Sequence, residues 1–455
     1  MPGNLVSRRQ FFKISTVALS GAVLAGCAGK PAPAQQGQVA PATPVPKSSV
    51  TGTFRYAFDN ETETRKPAVD LFFQKFYPNM KVTYEVTPSG YFEKLLAQIA
   101  SGDVPDLAYI HESRFADFAS QGALMPLDDY LAKMPLIDGN DKYPLEILKR
   151  NNNWKGKWYT MPIGAAFLFV RYNKDLFKAA NVPLPTDKWT WSDFLTAAAA
   201  LTKDTNNDGK PEQWGWIGWN PGWMPAQWPL MQSYGSFHFT DDLSQCVINN
   251  DAGLQVYEFI HSTFCGKTLC SPTPAAKTQL QSGTVRLFEG GLAAMDYTLS
   301  PNVISALKNI AGKFEMGIEI SPAGPKGSFV RTGGSSMGLP KGCKKPDVSW
   351  DLLRWMIGDE EAGKLAATYL DGNPLVRLDH IVKYNVPEGP LKDQMVRIIT
   401  DGFQKYGTVV QYAPIGEYGA IVTSNVDKLA ACEITAKQCV DAIADAANKA
   451  LKDKK

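Results

Sequence analysis

Between residues 53 and 110 the chain alternates strand-like with helix-like runs, and this narrows the fold more than any other feature. Thr53–Ala57 (TFRYA) reads as a strand. Residues 64–77 follow with Val69, Phe72, Phe73 and Phe76 at helical spacing, until Pro78-Asn79 breaks the run. Met80–Thr87 (MKVTYEVT) alternates with the period of a strand, Tyr91–Ala100 is amphipathic with a helical period, and Asp106–Ile110 (DLAYI) is apolar. Strands separated by a helix pair in parallel and bury both sheet faces, so the fold class is α/β. At roughly 100–200 residues per domain, 455 residues hold two or three domains, and no internal repeat is evident.

The amino terminus carries a different signal. Ser7-Arg8-Arg9-Gln10-Phe11-Phe12-Lys13 precedes an apolar stretch from Ile14 to Leu24, which closes on Leu24-Ala25-Gly26-Cys27. A charged start, a short apolar middle and small residues at the end describe an export signal. The first run resembles the signal of the twin-arginine pathway and the last a bacterial lipobox. Residues 1–26 are therefore expected to be removed and Cys27 to be lipidated. Residues 28–52 hold no aromatic residue but five prolines (Pro31, Pro33, Pro41, Pro44, Pro46), so 27–52 reads as a lipidated tether. At about 3.1 Å per residue it reaches about 75 Å. The chain is expected to be exported and held at the outer face of the cytoplasmic membrane, at the cell surface or in the periplasm. No apolar stretch attains the roughly 18–20 residues that span a bilayer. Lys+Arg number 47 against 45 Asp+Glu, and three of the basic residues lie in the signal, so no basic excess suggests a nucleic-acid partner. Only four histidines occur (His111, His238, His261, His380), none within five residues of another, which excludes helical zinc motifs of the HExxH type.

Further along the chain, short motifs form an ordered set. It begins with Phe76-Tyr77-Pro78-Asn79-Met80-Lys81-Val82, Leu95–Gly102 (LLAQIASG), Pro105-Asp106-Leu107 and Gln121-Gly122-Ala123-Leu124 with Pro126-Leu127. It continues through Gly156-Lys157-Trp158-Tyr159-Thr160-Met161-Pro162, Tyr172-Asn173-Lys174-Asp175-Leu176-Phe177 and Trp189-Thr190-Trp191-Ser192-Asp193-Phe194 to Phe288-Glu289-Gly290-Gly291-Leu292-Ala293-Ala294-Met295. The set resembles extracellular solute-binding proteins, in the sugar-binding branch similar to maltose-binding proteins that serves ABC importers. The resemblance implies a two-lobed periplasmic-binding-protein-like fold, each lobe a mainly parallel sheet flanked by helices, with the ligand cleft between lobes. By analogy one lobe holds 53–163 and 321–358 and the other 164–320 and 359–455. The chain would cross at Pro162-Ile163-Gly164 and Ile320-Ser321-Pro322, where Pro and Gly suit a hinge. The resemblance further implies capture of a sugar or oligosaccharide by hinge closure and delivery to ABC permease subunits, by a monomer without catalysis or a required cofactor. Arg171 departs from the pattern, since an apolar residue usually precedes the Tyr-Asn pair.

Loops after strands are where α/β clefts recruit ligand contacts. Asp59, Asn60 and Glu61 follow the first strand; His111, Glu112 and Arg114 follow DLAYI; Asp296 and Tyr297 follow the Ala-Ala-Met segment. Gly333-Gly334-Ser335 brings backbone within reach of a ligand, and Tyr412 and Tyr418 sit in a Gly/Pro-containing loop. Nine of the eleven tryptophans fall between Trp154 and Trp228. Sugars stack their C–H faces on such rings, which makes Trp219, Asn220 and Trp223 candidates. Against this, alternating rings in WGWIGW also suit the buried face of a strand.

Three other patterns compete. Asp204, Asn206, Asp208, Lys210 and Glu212 match the start of a calcium loop, with Gly209 for the sharp turn, but the twelfth position is Gly215 and not Glu. An Asx-rich turn has the same composition. Gly334-Ser335-Ser336-Met337-Gly338 matches the nucleophile elbow G-x-S-x-G, yet Leu339-Pro340-Lys341-Gly342 is a poor helix start. Six cysteines follow Cys27 (246, 265, 270, 343, 432 and 439), an even count that suits disulfides in an exported chain. The short spacings 265/270 and 432/439 are favoured, the second only if Thr435 starts a new helix. The alternatives to a sugar binder are an exported, lipid-anchored hydrolase, such as a glycosidase with two carboxylates about 5–9 Å apart, and a binder of another solute such as a peptide or metal.

Overall fold

The computed structural model describes residues 46–60, 62–139, 143, 145–150, 152–164, 166–218, 224–280, 286–333, 336–369, 377–408, 410 and 412–453. The export signal and Cys27 lie outside these residues. No helix among the described residues is long and apolar enough to cross a membrane.

β1 (Gly52–Phe58), α1 (Thr62–Phe76), β2 (Met80–Val86), α2 (Tyr91–Ser101) and β3 (Leu107–Ile110) realise the expected alternation, and β1 pairs in parallel with both β2 and β3. Val69, Phe72, Phe73 and Phe76 of α1 are all buried, with Phe73 packed 4.8 Å from Phe54 of β1. α3 (Glu112–Ser120) starts directly after β3. A small ribbon, β4 (Asn153–Trp154) with β5 (Lys157–Trp158), precedes β6 (Thr160–Pro162). Then come β7 (Ala166–Asn173), β8 (Trp214–Trp216), β9 (Ala293–Leu299), β10 (Met316–Glu319), β11 (Val330–Gly333), β12 (Ser336–Gly338) and β13 (Gly407–Thr408). One sheet runs β2-β1-β3-β12-β6. The other runs β13-β11-β7-β9-β8, with β10 also on β7. β7 is buried along all eight residues because strands flank both of its edges.

The parallel character is confined to part of each sheet. β12 runs antiparallel to β3 and β6, and β7 antiparallel to β9, β10 and β11, whereas β8–β9 and β11–β13 are parallel. Strands that carry the chain from one sheet to the other, rather than around a helix, enter in the opposite sense.

The chain passes from the first sheet to the second between Pro162 and Ala166, returns between Gly333 and Ser336, and passes over once more between Gly338 and Gly407, since β13 pairs with β11. Ile320-Ser321-Pro322 is not a crossing, because β11 follows it and still pairs with β7. That segment is instead buried alongside Trp189–Trp191: Trp189 Nε1 donates to the Ile320 carbonyl (2.9 Å) and Trp191 N–H to that of Ala323 (3.1 Å). Nor does packing change at 358, since helix Glu360–Tyr369 still lies against α1 and helix Pro346–Gly358.

Cys265 is bonded to Cys432, 167 residues away, with Cα atoms 6.1 Å apart. Neither favoured short pairing forms. Thr435 does start a new helix, accepting from Gln438 N–H at 3.2 Å, and Cys432 takes a left-handed φ of 61° before it. This directs Cys432 to Cys265, while Cys439 stays buried in the new helix. Cys246 and Cys270 are buried free thiols and Cys343 is half-buried and free.

Candidate functional site

The register places the ends of β3, β6 and β12 together, since Ser336 pairs with both Ile110 and Pro162; Ala166 likewise opposes Gly333 in the second sheet. Residues next to these ends form the first candidate group. His111 caps α3, its Nδ1 accepting from Ser113 N–H at 3.2 Å. Glu112, the first residue of α3, sits where the helix dipole favours a negative charge. Its carboxylate pairs with Arg331 of β11, so the ion pair joins an element of the first sheet to one of the second, with side chains only 4% and 5% exposed. Gly333 lies over the pair: a Cβ there would come within 2.8 Å of Arg331 Nη2, besides striking Glu112 Oε2. Tyr412 completes the group. Burial raises its hydroxyl pKa, the charge of Glu112 adds to this, and Arg331 opposes it.

Glu112, Gly333 and Tyr412 thus converge as the loop-after-strand argument expects, around an arginine that it missed. The only signal for Arg331 was a charge inside the apolar run of a strand. Arg114 has other commitments, pairing with Glu93 (2.9 Å) and stacking on Phe92 (5.1 Å), although Gly416 of the Tyr412 loop lies against its guanidinium. Asn60 is exposed, its N–H held by Asp59 Oδ1 at 2.7 Å. Glu61 and Gly334 lie outside the described residues.

A second group forms on the second sheet. Asp296 of β9 lies directly opposite Arg171 of β7 and pairs with it at 2.8 Å; Glu289 pairs with the same guanidinium at 2.7 Å, and Phe288 stacks on it at 4.3 Å. The unusual residue before Tyr172-Asn173 is therefore matched by two carboxylates. The Tyr297 ring packs edge-on to Trp216 (4.8 Å), and burial raises its hydroxyl pKa. Beside these residues is a cavity of about 470 Å³, lined also by Lys277, Arg286, Asn302, Ser305 and Asn309. A larger cavity of about 680 Å³, at Met125, Asp128 and Asp347, contains none of the expected site residues.

Most tryptophans are core. Trp158, Trp189, Trp191, Trp214, Trp216 and Trp228 are buried, and Trp216 meets Phe194 edge-on at 4.9 Å. Trp219, Asn220 and Trp223 lie outside the described residues. Tyr418 is core as well, its hydroxyl bonded to buried His238. Ser336 cannot act as a nucleophile elbow, because it sits in β12 and donates to Asn152 Oδ1 at 2.8 Å.

In the calcium-like loop, oxygens of Asp204, Asp208 and Glu212 lie within 4.8 Å of one another. The loop also satisfies itself. Asp204 accepts from Gly209 N–H (2.8 Å), Asn206 from Asp208 N–H (2.8 Å) and Asp208 from Lys210 N–H (2.8 Å). Glu212 accepts from Thr205 N–H at 2.7 Å, which lowers its pKa. Lys210 brings a cation to this set, so only its carbonyl suits a metal.

Comparison with known proteins places this arrangement. The family described as bacterial extracellular solute-binding protein matches residues 47–363. The chain is 26% identical over 309 residues to an arabinooligosaccharide-binding protein of Bacillus subtilis, covering 66% of this chain and 68% of that one. It is 24% identical over 311 residues to a maltotriose-binding protein of Pyrococcus abyssi, covering 66% and 60%. Among solved structures, an ABC substrate-binding protein of Listeria monocytogenes in complex with cycloalternan superposes with a TM-score of 0.71 at 22% identity, over 89% of this chain and 100% of that one. The sugar-binding protein MalE of Xanthomonas citri gives 0.71 at 17% identity, over 88% and 98%. Their two-lobed α/β fold is the fold of this chain. The matched span holds the first two passages between the sheets, the Glu112–Arg331 pair and the Arg171 group. The chain therefore belongs to the bacterial extracellular solute-binding proteins, a family of exported binding proteins and not of enzymes.

Proposed function

We propose that the chain is the substrate-binding component of an ABC importer, which captures a sugar or an oligosaccharide between two lobes by hinge closure and presents it to the permease subunits. The observation that carries this reading is the meeting of Glu112, Arg331, Gly333 and Tyr412, from elements of both sheets, beside the first two passages between them. Two lobes built on the two sheets, turning about the passages after β6 and β11, would open and close that meeting point. Arabinooligosaccharide, maltotriose and cycloalternan, named for similar proteins, favour a saccharide. Carboxylate, amide, hydroxyl and guanidinium groups around the cavity suit sugar hydroxyls. Asn60, Glu61, His111, Arg114, Trp219, Asn220, Trp223, Asp296, Tyr297 and Gly334 are the remaining proposed contacts. Cleavage after residue 26, lipid on Cys27 and the tether to residue 52 would hold a monomer outside the membrane. Asp204, Asp208 and Glu212 are proposed as a structural calcium site, which absence of heat on adding calcium to chelated protein would remove.

Thermal unfolding against a panel of mono- and oligosaccharides tests the main reading. A ligand at a hundred times its Kd should stabilise the native state by about 2.7 kcal/mol and raise the midpoint. No shift with any saccharide, alongside a shift with peptides or metal ions, overturns it.

A further inference from the structure

The cavity beside Arg171 carries an uneven set of charges. Arg171 is answered by Glu289 and Asp296, so the three together leave one negative charge delocalised over two carboxylates already held in ion pairs. Lys277 and Arg286 line the same cavity, and among the described residues neither makes an ion pair with a carboxylate; Lys277 Nζ donates only to the Ile217 carbonyl, at 2.5 Å. Lys277 is half-buried and Arg286 exposed, and with no carboxylate paired to either among the described residues both are open to an incoming anion. The planar guanidinium of Arg286 matches a carboxylate or sulfate in two-point contact, and Lys277 supplies a point charge. Across the cavity, Asn302, Ser305 and Asn309 recur at helical spacing along helix Val303–Ile310 and its start, a stripe of amide and hydroxyl groups suited to ring hydroxyls.

We propose that this cavity receives an anionic group of the ligand, a carboxylate or a sulfate ester borne on a saccharide. This rests on the saccharide reading and narrows its ligand class. The cavity selects for charge, and the Asn302–Asn309 stripe holds the sugar ring that bears it.

The test is isothermal titration of the purified protein with di- to tetrasaccharides of galacturonic acid, with neutral galactose oligosaccharides of the same lengths, and with their sulfated forms. One anionic series should bind about tenfold or more tighter than the neutral one at low salt, and the ratio should shrink as salt is raised. Which series gains identifies carboxylate or sulfate. Lys277→Met, at a half-buried side chain, and Arg286→Met, at an exposed one, should each lower the anionic-to-neutral ratio about tenfold. Neutral oligosaccharides binding as tightly as both anionic series, or a preference for anions that is insensitive to salt and survives both replacements, overturns the inference while leaving the saccharide reading intact. Binding of no saccharide at all overturns both.

Discussion

Arg331 and Arg171 occupy neighbouring strands of the second sheet, and both are nearly sealed from water, yet they are neutralised from different directions. Arg331 takes its carboxylate, Glu112, from the first sheet. Arg171 takes Asp296 from the strand beside it and Glu289 from the segment leading into that strand. Burying a charge costs several kcal/mol unless a partner is held in good geometry. The Glu112 contact of the first arginine holds only while the two sheets stay together, whereas the second is compensated within one sheet and twice over. Identical chemistry reports on hinge position in one case and stiffens a cavity wall in the other.

Removing Glu112 should break this contrast most severely. Glu112→Ala takes the carboxylate from a buried guanidinium, a change that costs about 3–5 kcal/mol. The urea midpoint should fall accordingly, and small-angle scattering should show a larger radius of gyration in the ligand-free protein as the sheets part. A loss under about 1 kcal/mol with unchanged scattering would mean that the pair joins nothing.

Asp296→Ala should be milder. Arg171 keeps Glu289 and its contact with Phe288, so the cost is that of one charged hydrogen bond, about 1–3 kcal/mol, with no change in scattering. Equal losses in the two variants, or a scattering change in this one, would erase the distinction between the arginines.

What the amino-acid order disclosed follows the same division between local and distant contacts. β1 to β3 and their helices were legible because each is specified by its own period, as Phe72, Phe73 and Phe76 illustrate. The second sheet was not, because its short strands are recruited from far apart: β7 pairs with β9, β10 and β11, and that register has no local signature. Within the site, Glu112, Gly333 and Tyr412 follow from the rule about loops after strands. Arg331 does not, since its partner is 219 residues away, and neither does Glu289, 118 residues from Arg171. The bond from Cys265 to Cys432 was hidden for the same reason, while short spacings drew attention to Cys270 and Cys439. The tryptophan-rich stretch misled in the other direction: rings that suit a ligand also suit a core, and six of them are buried in the two cores.

The arginines keep their charge because carboxylates stand beside them; among the described residues no carboxylate pairs with His238, and its smaller effect sharpens the point. It is fully buried, with Nδ1 against the Tyr418 hydroxyl and Nε2 2.9 Å from Met231 Sδ. Burial alone pushes its pKa down to about 3. The unfolded chain, with an ordinary histidine near 6.5, binds a proton that the folded chain refuses between those values. Stability from this residue is thus complete above about pH 6.5 and falls as pH drops towards 3, by about 1.4 kcal/mol at pH 5.5. Urea unfolding of the protein and of His238→Asn at pH 7.5 and 5.5 isolates the effect from the carboxylates. The wild type should lose about 1.4 kcal/mol more than the variant over that interval. Equal losses would mean that His238 is protonated in the fold, and that a buried cation here needs no carboxylate after all.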